Sequence, residues 1–226
     1  MQAALNSGAQ SISYTYSEPT IYFELMLETA KLAHEKGLKN VMVTNGYMSL
    51  EALTMMAPYL DAANIDLKAF NERFYKEHCG ASLAPVLETI NNIKAKGIWV
   101  ELTTLLIPGL NTDKQEIEEL ISFILSVDDM IPWHVSRFFP QHRLLDVSPT
   151  PTGAIYEALE MGRDRGLQFV YAGNVLDSDL ESTLQERPLQ LRYNLVPNRS
   201  KAHILTMTHS VAYQQPEALS PHPLNR

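Results

Sequence analysis

The sequence contains a single cysteine, Cys79, among its 226 residues. One cysteine excludes an internal disulfide and fits a reducing compartment, so we expect a cytoplasmic protein. One thiolate is also fewer than the three or four that an iron–sulfur cluster takes from a protein. Cys79 stands in the stretch EHCGA, at the predicted end of a helix. There we expect a buried small residue or an inert thiol rather than a nucleophile.

Other features are also absent, and each absence excludes a class of protein. No stretch approaches the ~20 consecutive apolar residues of a membrane span. The N-terminal residues MQAALNSGAQ show no basic segment followed by an apolar run, so we predict no signal peptide. A net charge of −8 argues against nucleic acid or an anionic membrane as the main partner. The histidines lack zinc-ligand spacing, and no glycine-rich nucleotide-binding motif follows a strand.

Six short β-rich runs alternate with segments of helical periodicity. The runs are Ser11–Tyr16, Asn40–Asn45, Ala63–Lys68, Trp99–Ile107, Trp133–Phe139 and Gln168–Asn174. The helical segments are Ile21–Glu35, Ser49–Leu60, Pro85–Lys96, Lys114–Val127 and Tyr156–Arg165. This alternation predicts an α/β fold in which helices cover a parallel sheet. Periodicity alone leaves two architectures open, a partial barrel and a doubly wound sheet.

The texture of the sequence changes after Val175. Residues 176–226 lose the alternation of strands and helices and gain Pro, Gln, Asn and Ser. We therefore predict one domain over residues 1–175 and a divergent, irregular tail over 176–226. A short strand at Ala202–Met207 is the one regular element that the tail allows.

Each predicted strand begins with apolar residues and ends with polar ones. The polar residues are Ser17-Glu18, Thr44-Asn45-Gly46, Asp66 with Lys68, Gly109 to Asn111, His134 to Arg137, and Gly173-Asn174. In parallel α/β folds, ligands bind at the carboxyl ends of the strands. The polar ends therefore predict one binding site at that edge of the sheet.

The third run, ANIDLK, is the most informative. Side chains alternate along a strand, so Asn64, Asp66 and Lys68 share one face while Ile65 and Leu67 share the other. We expect the polar face to point into the barrel. Two interpretations stay open, an internal Asp66–Lys68 ion pair in a filled barrel, and a carboxylate that accepts a hydrogen bond from a ribose hydroxyl.

The other candidates each have a plainer alternative. Glu18 precedes Pro19 at a helix start, where it either caps the helix or holds a ligand ammonium group. Asn45-Gly46 is by itself a signal for a tight turn, and so is Gly109 after Pro108. A lone strand histidine such as His134 is more often a packed, hydrogen-bonded residue than a ligand contact.

Taken in order, the segments SISYTYSEPT, VMVTNGY, NIDLKAF, ELTTLLIPGLN, PWHVSRFFP and VYAGNV resemble the radical SAM enzymes of the AmmeMemoRadiSam system. These are relatives of pyruvate formate-lyase activating enzyme, and the resemblance covers about residues 3–175. It implies a partial parallel (β/α) barrel of the TIM-barrel type. It also implies S-adenosylmethionine (SAM) and a 4Fe-4S cluster as cofactors, and reductive cleavage of SAM to a 5′-deoxyadenosyl radical.

The resemblance further implies roles for matching residues. The turn Ser17, Glu18 and Pro19 would hold the SAM amino group, with Thr44, Asn45 and Gly46 beside it. Asp66 and Lys68 would contact the ribose and carboxylate region. The turn at Pro108 and Gly109 would pack against adenine, and His134 would lie near the ribose. No catalytic residue and no metal ligand is assigned. The substrate stays open, a protein being one option.

The sequence departs from the family in one respect. The family's C-x-x-x-C-x-x-C loop follows the first barrel strand, and neither is present in these residues. We therefore expect a truncated enzyme that is inactive alone, with an open sheet edge at Ser11–Tyr16 through which it self-associates. Two alternatives stay open, a lyase or aldolase with Lys68 as Schiff-base nucleophile, and a non-catalytic pseudoenzyme or binding partner.

Overall fold

Six parallel strands form one sheet whose spatial order is the order of the chain. The computed structural model describes residues 2–175, which belong to the compact unit Met1–Gln185. The strands are β1 (Ser11–Tyr14), β2 (Lys39–Thr44), β3 (Ala62–Asp66), β4 (Trp99–Leu106), β5 (Trp133–Arg137) and β6 (Val170–Gly173). All six predicted strands and their parallel pairing are confirmed. The strand order runs in one direction without the reversal of a doubly wound sheet, so the open sheet with its flanking helices is a partial (β/α) barrel.

Helices connect the strands. They are α1 (Gln2–Asn6), a 3-10 turn (Pro19–Tyr22), α2 (Phe23–Glu35), α3 (Leu50–Met56), α4 (Glu72–Phe74), a π-helical turn (Tyr75–Cys79), α5 (Leu83–Ala95), α6 (Lys114–Val127) and α7 (Thr152–Asp164). Ser49 caps α3 as predicted, because its hydroxyl accepts a hydrogen bond from the Ala52 amide at 3.2 Å. None of the helices within residues 2–175 is long and apolar enough to cross a membrane.

The predicted ends of several elements were wrong. β3 ends at Asp66 rather than Lys68, because the Leu67 amide turns back to bond the Ile65 carbonyl. β5 likewise ends at Arg137 rather than Phe139, and β1 at Tyr14 rather than Tyr16. Helix α3 stops at Met56, four residues before the predicted end, and α7 begins at Thr152, four residues before the predicted start. The predicted tail, 176–226, and the strand Ala202–Met207 lie outside the described residues.

The core lies between the sheet and the helices. Ile65 of β3 and Trp133 of β5 are fully buried and face this layer, where Trp133 packs near Gly162 of α7. Alternation along each strand then directs the neighbouring residues to the opposite side of the sheet, which we call the inner face. Among the described residues β1 pairs only with β2. Self-association through this edge stays a prediction.

Candidate binding site at the carboxyl edge of the sheet

Strand register places four residues of neighbouring strands in one row on the inner face. Asp66 of β3 lies opposite Thr103 of β4, Thr103 opposite His134 of β5, and His134 opposite Tyr171 of β6. Side chains in register on adjacent strands lie about 5 Å apart. The row therefore brings together two of the predicted site residues, Asp66 and His134, which are 68 positions apart in sequence.

Asp66 and Lys68 form an ion pair at this edge. The Lys68 Nζ lies 2.8 Å from the Asp66 Oδ2, and the two side chains are 39% and 38% exposed. The predicted ion pair is thus confirmed, but its placement inside a filled barrel was wrong, because both groups reach solvent. The Lys68 amide donates to the Tyr75 hydroxyl, whose pKa is raised by burial. This edge of β3 is therefore both anchored and accessible.

His134 is a packed, hydrogen-bonded residue. Its Nε2 lies 2.9 Å from the Glu101 Oε2, and both side chains are 5% exposed. The ring stacks on Tyr171 with centroids 5.2 Å apart. Glu101 of β4 was missed by the sequence interpretation. The signal was present, since a glutamate within the apolar run WVELTTLL needs a buried partner.

Glu18 ties the ends of the first two strands together. Its Oε1 accepts hydrogen bonds from the Thr44 hydroxyl at 2.7 Å and the Thr20 amide at 3.2 Å, and its Oε2 accepts one from the Asn45 amide at 2.7 Å. Glu18 also caps the 3-10 turn, so the capping interpretation is confirmed. Next to it Ser17 is exposed and Pro19 is buried. A contact between Glu18 and a ligand ammonium stays a prediction.

The segment Thr44–Gly46 forms the predicted tight turn. The Asn45 Oδ1 accepts from the Tyr47 amide at 2.8 Å, and the Thr44 hydroxyl accepts from the Gly46 amide at 3.2 Å. Gly46 has a φ of +74°, and a Cβ there would lie 2.7 Å from the Ile65 Cγ2. Glycine is thus required at position 46 by backbone conformation and packing alone.

The turn after β4 is held by Asn111, a polar strand-end residue to which the sequence analysis assigned no role. The Asn111 Oδ1 accepts from the Ile107 amide at 2.6 Å, and its Nδ2 donates to the carbonyls of Lys68 and Leu105 at 2.6 and 2.8 Å. Asn111 therefore holds the ends of β3 and β4 together. Gly109 is exposed, with a φ of +76° and open space around its Cβ position, and Pro108 is half-buried.

Comparisons with known proteins show the family and the fold. Residues 1–124 match the Radical SAM superfamily. The chain belongs to the radical SAM superfamily. An uncharacterised protein of Methanocaldococcus jannaschii is 43% identical over 187 residues, which are 81% of this chain and 54% of that protein. The 4-hydroxyphenylacetate decarboxylase activating enzyme of Clostridium scatologenes is 24% identical over 154 residues, 67% of this chain and 48% of the enzyme. The chain spans about half the length of these relatives.

Solved structures share the fold. A domain of pyruvate-formate lyase-activating enzyme from Bacteroides vulgatus superposes with a TM-score of 0.63 at 17% identity, covering 74% of this chain and all of that domain. SuiB of Streptococcus suis, known bound to SAM, also gives 0.63 at 14% identity, over 77% of this chain and 42% of SuiB. Radical SAM family members bind SAM and a 4Fe-4S cluster.

The two radical SAM cofactors do not fit this chain equally. An exposed carboxylate and ammonium on the inner face, Asp66 and Lys68, suit the hydroxyl and carboxylate groups of SAM. The cluster does not fit, because Cys79 is the one cysteine of the sequence. Within residues 2–175, moreover, no three His, Cys, Asp or Glu side chains are grouped closely enough to hold a metal ion.

Cys79 itself is exposed, so the prediction of a buried small residue was wrong. The reason is local, since the π-helical turn ends at Gly80 in a left-handed conformation and leaves Cys79 at the surface. Partial burial of the sulfur atom nevertheless raises the pKa of the Cys79 thiol, and Lys68 lowers it by a smaller amount. A raised pKa disfavours the thiolate, as expected of an inert thiol.

The last two strands meet at a close contact on the inner face. A Cβ on Gly173 would lie 2.5 Å from the Ser136 Oγ and 3.4 Å from the Ser136 Cβ. We therefore expect Gly173→Ala to reduce the free energy of unfolding by about 1–3 kcal/mol through overpacking. Ser136→Ala alone should change it by less than about 0.5 kcal/mol.

The double variant is the decisive measurement for this contact. With Ser136→Ala present, the added methyl at position 173 meets a Cβ at an ordinary distance, so urea denaturation should show most of the lost stability restored. Additive losses in the double variant would mean that Gly173 is required for another reason.

Proposed function

We propose that these residues form the SAM-binding part of a radical SAM enzyme of the activating-enzyme kind, close to the AmmeMemoRadiSam enzymes, which cleaves SAM to a 5′-deoxyadenosyl radical. The observation that carries the proposal is the Asp66–Lys68 ion pair. It lies half-exposed on the inner face of a radical SAM sheet, in the row that contains His134. Such a pair offers one acceptor and one cation to a zwitterionic nucleoside ligand.

The neighbouring residues complete a binding surface of the right chemistry. We assign Asp66 to a ribose hydroxyl, Lys68 to the SAM carboxylate and His134 to the edge of the ribose. Glu18 keeps acceptor capacity on its Oε2, which receives one hydrogen bond, and that oxygen suits the SAM ammonium group. The turns Thr44–Gly46 and Pro108–Gly109 border the surface beside ammonium and adenine.

When bound, SAM would supply the carbon–sulfur bond of its sulfonium group, whose reductive cleavage yields the radical. The residues of this chain would orient SAM and keep water away from it. The electron for this cleavage would come from a cluster held by three or four thiolates, and these 226 residues contain one cysteine, so we propose that the chain alone is inactive. We further propose a protein segment as substrate. Support comes from the activating enzyme among the relatives and from SuiB, which is known bound to its precursor peptide.

The Schiff-base alternative finds less support. A nucleophilic lysine needs a free neutral amine, usually produced by desolvation or a neighbouring cation. The Lys68 Nζ instead lies 2.8 Å from a carboxylate and is 39% exposed. A covalent adduct on Lys68 after treatment with a carbonyl compound and borohydride would favour the lyase. The cysteine count favours a second candidate, a SAM-binding protein without catalysis.

Replacing Asp66 tests the proposed site. Without a cluster to chelate SAM we expect a Kd near ~1 mM for the wild type, or roughly −4 kcal/mol. Asp66→Ala should weaken binding by about 1.5–3 kcal/mol, tenfold or more, because a ribose hydroxyl loses a charged acceptor. NMR shift titration with SAM measures both proteins.

The chain offers a control at the opposite end of β3. Asp61 precedes β3 at its opposite end and pairs with Lys39 at 2.7 Å. Asp61→Ala removes an ion pair away from the site, together with the hydrogen bond that the Asn40 amide donates to Asp61 at 2.9 Å, so the folded variant should bind SAM as the wild type does. Micromolar SAM binding that ignores Asp66→Ala would place the ligand elsewhere and overturn the proposal.

A further inference from the structure

We infer that Glu101 is a positioning residue, which fixes the tautomer and orientation of His134 toward a ligand on the inner face. The inference rests on the proposed function, since it assigns the ligand to the surface that contains Asp66 and His134. Glu101 does not face that ligand directly, because it lies nearer the amino end of the sheet than the row of His134 and both of its oxygens already have protein partners. Its effect must therefore pass through His134.

The Glu101 carboxylate is held at both oxygens. Oε1 accepts a hydrogen bond from the indole Nε1 of Trp99 at 3.0 Å, and Oε2 lies 2.9 Å from the Nε2 of His134. A carboxylate fixed by two partners cannot rotate to offer His134 a different geometry. Trp99 therefore contributes to the arrangement, because its indole fixes the Glu101 carboxylate that bonds His134.

Register shows from which side the imidazole is held. Glu101 pairs with Asn64, one step toward the amino end of the sheet from the row of Asp66, Thr103 and His134. The Glu101–His134 contact thus approaches the ring from below that row. Tyr171, from β6, covers one face of the ring at 5.2 Å and an interplanar angle of 23°. One edge and one face of the imidazole are fixed.

The chemistry of the pair sets the tautomer. A neutral imidazole next to a carboxylate keeps its proton on the nitrogen that faces the carboxylate, here Nε2, and Nδ1 is then the acceptor nitrogen. A glutamine at position 101 must keep its oxygen toward the Trp99 indole, so its NH2 group faces His134 and favours the opposite tautomer, with the proton on Nδ1. A merely structural pair would stabilise the fold and leave ligand binding indifferent to the tautomer.

Three variants separate the two roles. Glu101→Gln keeps the shape but not the charge, and Glu101→Asp keeps the charge on a shorter chain. Glu116→Gln is the control, because Glu116 of α6 is a half-buried carboxylate that holds the Phe70 amide at 2.8 Å and the Asn71 side chain at 2.6 Å, and it does not touch His134. The His134 signals are assigned from their loss in His134→Asn.

Nitrogen-15 NMR of the histidine rings reads the tautomer, and NMR titration with SAM up to about 10 mM reads the affinity. We expect the wild type to show the Nε2–H form. Glu101→Gln should shift the ring toward the Nδ1–H form and weaken SAM binding about threefold to tenfold, the range for one ordinary hydrogen bond. Glu101→Asp should restore the tautomer and part of the affinity, and Glu116→Gln should match the wild type in both.

Two results would overturn the inference while leaving the proposed function intact. One is a wild-type ring that carries its proton on Nδ1 or on both nitrogens. The other is a Glu101→Gln variant that folds, binds SAM within twofold of the wild type, and still loses affinity when combined with Asp66→Ala. If instead Asp66→Ala leaves SAM binding of the wild type unchanged, the proposed function fails, and the role of Glu101 toward that ligand fails with it.

Discussion

Anaerobic reconstitution with iron and sulfide is expected to leave this chain without a stoichiometric 4Fe-4S cluster. The reason is the number of thiolates, since one cysteine stands where three or four are needed. Dimerisation does not remove the deficit, because two chains together offer two thiolates. The measurement is iron and sulfide content per chain together with the visible absorption spectrum.

Cys79→Ser is the control for adventitious iron. Cys79 is exposed, so the substitution should leave the fold intact and the small iron content unchanged. A brown wild-type product with about four irons per chain, lost in Cys79→Ser, would show that clusters assemble between chains. The same iron content in both proteins would point to ligands other than cysteine. Either result would contradict the expectation and restore the question of activity for the chain alone.

The strands were predictable because two signals agreed. Each run had strand composition, and the runs recurred at the spacing of a βαβ unit, so their number, order and parallel pairing followed. Alternation in ANIDLK predicted Asp66 and Lys68 on one face without knowledge of the neighbouring strands, and the two side chains do pair although β3 ends at Asp66. That is why this part of the candidate site was predicted with the correct partners.

The contact between Glu101 and His134 could not be predicted in the same way. It depends on the register of β4 against β5, and the sequence does not show which residues lie opposite each other. The strand ends were misplaced for a related reason. A strand ends where its backbone groups find other partners, either locally, as in the Leu67–Ile65 bond after β3, or from positions far apart, as when Asn111 bonds the Lys68 carbonyl.

Side-chain hydrogen bonds of this kind join neighbouring strand ends along the carboxyl edge of the sheet. Glu18 joins the ends of β1 and β2, and Asn111 joins those of β3 and β4. Thr150 joins β4 to the residue after β5, since its hydroxyl bonds the Leu106 carbonyl and the Phe138 amide. Asn174 bonds the Arg137 carbonyl at 3.1 Å and joins β6 to β5.

The pattern changes how polar strand ends are interpreted. Part of the polarity that predicted a ligand site instead satisfies backbone groups of the loops, which would otherwise be buried without partners. The remaining groups, above all Asp66 and Lys68, are accessible on loops that are already fixed. A site held in this way needs little rearrangement on binding, which preserves affinity for a weakly bound ligand.

Among the substitutions considered, removing the Asn111 side chain should reduce the free energy of unfolding the most. Asn111 is 2% exposed, and its side chain makes three hydrogen bonds of 2.6 to 2.8 Å to the backbone of Ile107, Lys68 and Leu105. Asn111→Ala leaves one buried amide and two carbonyls without these partners. At about 1–3 kcal/mol for an unsatisfied group, with incomplete additivity, the free energy of unfolding should fall by about 3–5 kcal/mol.

Urea denaturation of Asn111→Ala and a surface control decides the matter. Asn91 is exposed on α5 and makes one hydrogen bond, to the Leu87 carbonyl at 3.0 Å, so Asn91→Ala should change stability by less than about 0.5 kcal/mol. A loss of about 3–5 kcal/mol is a large share of the 5–15 kcal/mol typical of a domain. If Asn111→Ala lost no more than Asn91→Ala, water would be able to reach these backbone groups. The carboxyl edge would then be a solvated set of loops rather than a fixed platform for SAM.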